Sequence, residues 1–146
     1  MEAKKDYYAP MHTAEHVLNQ TMVRMFNCGR SFSNHIERKK SKCDYKFHKE
    51  LTPEEITTIE EKVNSVIKNN YNVTEEILTF TEAEKLYNLE KIPEDKPETI
   101  RIVKIGDYDA CPCIGKHVKN TSEIGIFKIT SISYNNKVLR IRYKLL

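Results

Sequence analysis

The sequence predicts an α+β fold, a mainly antiparallel sheet packed with helices. Three observations predict it. Runs with helical and with strand periodicity are interspersed along the chain, two Ser/Thr-x-x-Glu signals mark helix starts, and the last two strand-like runs are close enough to form a hairpin.

The elements follow in order. Residues 1–9 read as a lead-in, with Pro10 placed where it opens a helix. From Met11 the apolar positions Ala14, Val17, Leu18, Met22, Val23, Met25 and Phe26 keep helical spacing, and Cys28-Gly29 supplies a stop. Ser31 to Asn34 reads as a turn or the start of an edge strand, and Lys42 to His48 alternates like a strand with one wet face. Thr52-Pro53-Glu54-Glu55 is a helix start with cap, first-turn proline and capping-box glutamate; Ile56, Ile59, Val63, Val66 and Ile67 continue it to Asn69-Asn70.

Tyr71 to Phe80 reads as a strand, and Thr81 to Glu84 as the capping box of a short helix ending near Leu89. Ile92 to Pro97 is a proline-bearing connection. Ile100 to Ile105 is a strand, Gly106 to Asp109 turns, and a Cys/His-rich loop follows. Gly125 to Ser133 and Val138 to Tyr143 are strands joined across Asn135-Asn136, a pair suited to positive backbone angles.

Length and composition bound the class. The 146 residues fit a single domain over 1–146, and 31% charged with 39% hydrophobic residues is an ordinary globular balance. No apolar run approaches the roughly 20 residues of a membrane span. The first residues lack the apolar core of a signal peptide, so a cytoplasmic location is expected. Four cysteines without an export signal argue against a disulfide framework; Cys28 and Cys43 read as small hydrophobes.

Two clusters carry chemistry. His12 and His16 are spaced i, i+4, on one face of the first helix within reach of one ion. About a hundred residues later, Cys113 and His117 are again four apart. Three imidazoles and a thiolate form the tetrahedral nitrogen and sulfur set that zinc prefers to harder cations. Cys111, two residues before Cys113, competes for the sulfur position, and spacing leaves that choice open. Net charge is only +3, but Arg38, Lys39, Lys40, Lys42, Lys46 and Lys49 form one basic stretch and Lys137, Arg140, Arg142 and Lys144 another. Such runs are commonly solvated faces and also suit a polyanion.

Four segments together carry a resemblance: His12-Thr13-Ala14-Glu15-His16-Val17-Leu18, Lys42 to His48, Leu51 to Asn64, and Cys113 to Gly125. Over nearly the whole chain the sequence resembles the editing domain of alanyl-tRNA synthetases, also found in free-standing alanyl-tRNA editing proteins and, more distantly, in threonyl-tRNA synthetases. The resemblance implies a trans-editing deacylase that cleaves the ester joining a wrong amino acid, serine or else glycine, to alanine tRNA. No synthetase activity is expected. It implies zinc ligands at His12, His16, Cys113 and His117, in a cleft between the first helix and the sheet.

No residue is singled out as the catalyst; Thr13 and Glu15 are supporting candidates beside a zinc-positioned water, and Ser31, Ser33, Gly115 and Lys116 are substrate-binding candidates. Two segments depart from the family's usual pattern: Arg30 to Asn34 stands where Gln-x-Gly-Ser is common, and Ile114-Gly115-Lys116 where Gly-Gly-Thr is. Other readings remain. His12-x-x-Glu15-His16 fits an inverted zinc-protease signature, though that leaves Cys113 and His117 unexplained. A zinc-stabilised domain that binds tRNA or a partner without turnover is the main alternative. A further one is an editing fold acting on a free amino-acid ester.

Overall fold

The computed structural model describes residues 8–89 and 97–146. The lead-in over residues 1–7 and most of the Ile92 to Pro97 connection fall outside them. Three α-helices and seven strands follow in the order α1 (Ala9–Phe26), β1 (Ser33–Ile36), β2 (Ser41–Lys46), α2 (Pro53–Lys68), β3 (Val73–Thr79), α3 (Phe80–Leu86), β4 (Thr99–Ile105), β5 (Asp109–Pro112), β6 (Phe127–Asn135) and β7 (Val138–Leu145). They form two antiparallel sheets, β1-β2-β7-β6 and β3-β4-β5. The α+β expectation is met.

One face of the larger sheet carries Cys43, Tyr45, Leu139, Ile141 and Tyr143, all fully buried against Met11, Ala14, Leu18 and Met22 of α1 and Ile59 and Val63 of α2. Period-2 alternation puts these side chains on the same side of β2 and β7. In α2 both predicted capping-box bonds form: Thr52 Oγ1 accepts from the Glu55 amide and Glu55 accepts from the Thr52 amide. The amphipathic spacing then turns Ile59, Val63, Val66 and Ile67 inward. A smaller cluster of Ala83, Ile100 and Ile102 lies under α3.

Burial of α1 is not confined to its apolar stripe. His12, Thr13, Glu15, His16 and Asn19 are buried too. The helix is thus enclosed on its polar side as well, and a buried polar face must find internal partners. That requirement positions the site.

Several boundaries differ from the sequence expectation. Helix α1 stops at Asn27, in the left-handed region with φ 54° and its amide bonded to the Val23 carbonyl, before Cys28-Gly29 is reached. Asparagine tolerates that conformation, so no glycine is needed. The cap of α3 is Thr79 with Glu82, two residues earlier than Thr81 with Glu84, because β3 pairs with β4 only as far as Thr79 opposite Thr99. The helix ends at Leu86, where Tyr87 is extended. In the β6–β7 hairpin the positive angles fall on Asn136 and Lys137, with Asn135 paired to Val138. Cys111, expected in a loop, lies in β5 opposite Val103, and Pro112 is accommodated because β5 is an edge strand.

Candidate metal centre

His12 and His16 project from one face of α1 toward the segment that leaves β5. The His12 Nδ1 donates to the Lys116 carbonyl at 3.2 Å, which turns its Nε2 toward the Cys113 sulfur at 3.3 Å. The His16 Nε2 lies 2.9 Å from the His117 Nε2. The His12 and His117 rings stack with centroids 4.4 Å apart. One donor atom from each of His12, His16, Cys113 and His117 falls within 4.8 Å of all the others. A hundred residues of intervening chain have been folded away to bring the two pairs together.

Hydrogen bonds hold the incoming segment. Thr13 Oγ1 donates to the Ala9 carbonyl at 2.7 Å and accepts from the Val118 amide at 3.1 Å, pinning the segment to the first turn of α1. On the other side the Arg101 guanidinium of β4 donates to the carbonyls of Cys113 and Gly115. Thr13 therefore uses its hydroxyl structurally, and Gly115 and Lys116 each contribute a carbonyl to the framework.

Electrostatics favour a thiolate. Burial pushes the Cys113 thiol up, but hydrogen bonds from His117, His12 and His16 and the charge of His16 outweigh it and bring the pKa to about 3. Burial lowers His117, and the charges of His16 and His12 add to that against the opposing Cys113. Zinc bonds of about 2.0–2.3 Å in a tetrahedron separate donors by roughly 3.3–3.6 Å. The 2.9 and 3.3 Å contacts here are close to that spacing. Two imidazole Nε2 atoms facing each other beside a thiolate suit a shared cation, so the residues present fit a metal ion that takes nitrogen and sulfur ligands, as zinc does.

Behind His16 stands a second group. The His16 Nδ1 is 2.9 Å from the Cys111 sulfur and 3.5 Å from Asp109 Oδ2. Burial opposes a proton on His16, but the Cys111 charge and hydrogen bonds to Asp109, Cys111 and Cys113 hold its pKa well above the ordinary value. Burial would raise Asp109, yet His16 and the Arg30 guanidinium hold it far below the usual carboxylate range. Arg30 donates to both Asp109 oxygens, at 2.7 and 3.2 Å, and reaches Cys111 at 3.5 Å. His16, Asp109 and Cys111 also form a group with metal-ligand chemistry, but the guanidinium already supplies its positive charge. Cys111 thus sits on the Nδ1 side of His16, and Cys113 on the side where the other imidazoles converge.

A hydrogen-bonded wall flanks the cluster. Glu15 is buried, with Oε1 3.5 Å from His12 Nε2 and Oε2 accepting from Asn34 at 2.6 Å and Asn19 at 3.4 Å. Asn19 in turn accepts from the Ser31 amide and the Tyr45 hydroxyl, and the Ser31 hydroxyl bonds Asn34. Ser33 stands apart from this wall, because strand alternation turns it to the sheet's other face, where its oxygen accepts from Lys42 at 3.4 Å. Asn34, Asn19, Asp109, Arg30 and Arg101 were not among the sequence-level candidates. Only Arg30 and Asn34 lay in a segment already marked, the one departing from the family pattern. A surface groove along α2, lined by Glu60, Glu61, Asn64 and Ile126, shares no lining residue with this cluster.

With this geometry in hand, the relatives are informative. Residues 100–141 match the family described as the threonyl and alanyl tRNA synthetase second additional domain. The alanine–tRNA ligase of Fervidobacterium nodosum is 35% identical over 133 residues, covering 90% of this chain and 15% of that protein. Those of Thermoanaerobacter sp. and Coxiella burnetii are 36% and 34% identical, each covering 84% of this chain and 14% of the relative. The chain therefore spans about one-seventh of the length of these curated relatives. Among the described residues no helix is long and apolar enough to cross a membrane.

Proposed function

This chain is related to a domain of alanyl-tRNA synthetases, and from that premise we propose that it is an editing hydrolase. It removes a wrongly attached amino acid, serine first and glycine second, from the 3′ end of alanine tRNA, with zinc held by His12, His16, Cys113 and His117. The observation that carries this reading is the convergence of those four donors within 4.8 Å beside the buried Glu15 wall.

The chemistry asked of the site is modest. An aminoacyl ester hydrolyses readily, so orientation and water delivery supply most of the needed acceleration. Zinc bound at the four donors would supply Lewis-acid character for the ester carbonyl or the attacking water. Four protein ligands are the composition of a closed site, so such a role requires an added or exchanged position.

The chain's own residues do the rest. His12 is held by the Lys116 carbonyl so that its Nε2 points inward. Glu15, anchored by Asn34, presents a carboxylate beside it that suits the substrate's ammonium group. Ser31 and Asn34 offer hydroxyl and amide groups for a seryl hydroxyl, and polar groups left unpaired by alanine would disfavour the correct product. Lys116, at the same loop, offers a cation to the terminal phosphates.

The test is incubation of the protein with alanine tRNA charged with serine, glycine or alanine, with and without a chelator, scoring release of each amino acid. Chelator-sensitive release of serine, absent in His12→Ala, is expected. No release from any of the three by the zinc-loaded protein sinks the hydrolase and leaves a zinc-stabilised RNA-binding domain.

A further inference from the structure

The two basic stretches, a hundred residues apart in sequence, are neighbours in space. Strand β2 pairs with β7 so that Lys42 stands opposite Arg142 and Asp44 opposite Arg140; β6 pairs with β7 so that Lys128 stands opposite Lys144. Alternation places Lys42, Lys46, Arg140, Arg142, Lys144 and Lys128 on the face of the sheet opposite the core. Six basic side chains there meet one carboxylate, Asp44, an excess larger than the +3 of the whole chain. Lys46, Arg142 and Lys128 are exposed. Among the described residues the helices α1 and α2 pack on the other, apolar face.

Like charges directly opposite each other on neighbouring strands destabilise a sheet. Asp44 relieves part of this, bonding Lys42 at 2.6 Å and Arg140 at 2.8 and 3.0 Å. The Lys128 and Lys144 pair has no acidic neighbour on these strands. Ser131 and Ser133 of β6, opposite Arg142 and Arg140, add hydroxyls that can donate to phosphate oxygens. Such a face, cationic and hydroxyl-bearing, with the exposed Phe32 ring beside Lys46 at its edge, suits a phosphate backbone.

The face also adjoins the candidate site. Edge strand β1 separates the two: Asn34 reaches Glu15 on the inner side, and Ser33 meets Lys42 on the outer side. We infer that the outer face of the β1-β2-β7-β6 sheet binds the phosphate backbone of an RNA helix whose unpaired 3′ end rounds β1 into the His/Cys site. This rests on the hydrolase reading for the identity of the RNA, but the face itself is tested without turnover.

The probe is a fluorescein-labelled RNA hairpin with an unpaired 3′ tail, titrated by anisotropy across a salt series. The double variant Lys46→Glu with Arg142→Glu is expected to lose at least about tenfold in affinity, and its log–log salt slope to fall by about two. Lys62→Glu with Lys68→Glu, on the exposed side of α2, is expected to stay within about twofold of the parent. Equal losses in both variants, or no loss in the first, overturn the inference, as does equal affinity of the parent for anionic phospholipid vesicles. If the binding difference is seen but no aminoacyl-tRNA is hydrolysed, the hydrolase reading fails and this face stands. If both variants hydrolyse subsaturating Ser-tRNA equally well, the face fails and the hydrolase stands.

Discussion

Arg30 and Asp109, 79 residues apart, form a two-pronged ion pair directly behind His16, with the Asp109 side chain fully enclosed. Removing the guanidinium leaves the enclosed carboxylate only the His16 ring and the Gln20 amide, which costs more than the pair itself contributes. Arg30→Met is expected to lower the stability measured by urea unfolding by about 3 kcal/mol. Adding Asp109→Asn should recover a good part of that loss. A recovery of nothing would mean that the guanidinium matters through packing alone.

The two neighbouring thiols should behave differently toward zinc. Cys113 shares a space with three imidazoles, whereas Cys111 faces the outer nitrogen of His16 and the Arg30 guanidinium. Cys113→Ser and His117→Ala are expected to drop bound zinc well below one per chain, and Cys111→Ser to retain it. Chelator titration of protein purified with zinc reads the stoichiometry directly. The reverse pattern would exchange the ligand.

Acid sensitivity has an assignable origin outside the metal cluster. The hydrogen bond from Arg140 lowers the Asp44 pKa most, with Lys42 adding to it against burial. A carboxyl whose folded pKa is depressed contributes stability in full above its ordinary value of 3.8, and loses it as pH falls through the folded value. Asp44→Asn should therefore be less stable than the parent at neutral pH, and the gap should close below pH 3.8. Urea midpoints measured across that range decide it; a gap independent of pH would remove the carboxylate from the account.

The cap of α3 offers a sharp comparison between two threonines. Thr79 exchanges hydrogen bonds with Glu82, while Thr81 lies exposed inside the helix. Thr79→Ala is expected to cost about 1 kcal/mol, and Thr81→Ala only a few tenths. Thermal unfolding of the two variants ranks them.

Much of the fold was legible because its signals are local. Thr52, Pro53 and Glu55 specify a helix start through atoms three residues apart, and the structure has it. The alternation of β2 and β7 was equally plain, since pleating sends neighbours to opposite faces whatever the partner strand. Boundaries slipped where two local signals competed. Thr79 and Thr81 both precede a glutamate at the capping distance, and only the ladder to Thr99 selected the first.

The candidate site divides along the same line. Helical periodicity alone places His12 and His16 on one face, and four-residue spacing alone makes Cys113 and His117 a pair. What spacing left open was which thiol joins them, and that depends on β5 pairing with β4, which turns Cys111 toward Arg30 and leaves Cys113 beyond the strand's end. The Glu15 to Asn34 bond and the Arg30 to Asp109 pair were likewise invisible, because neither partner has a sequence neighbour that marks the other. The two basic stretches likewise read as separate runs until the β2–β7 register set Lys42 opposite Arg142. Short-range geometry is written in the order of residues, whereas contacts across a hundred residues follow from strand register and from the need to give every buried polar group a partner.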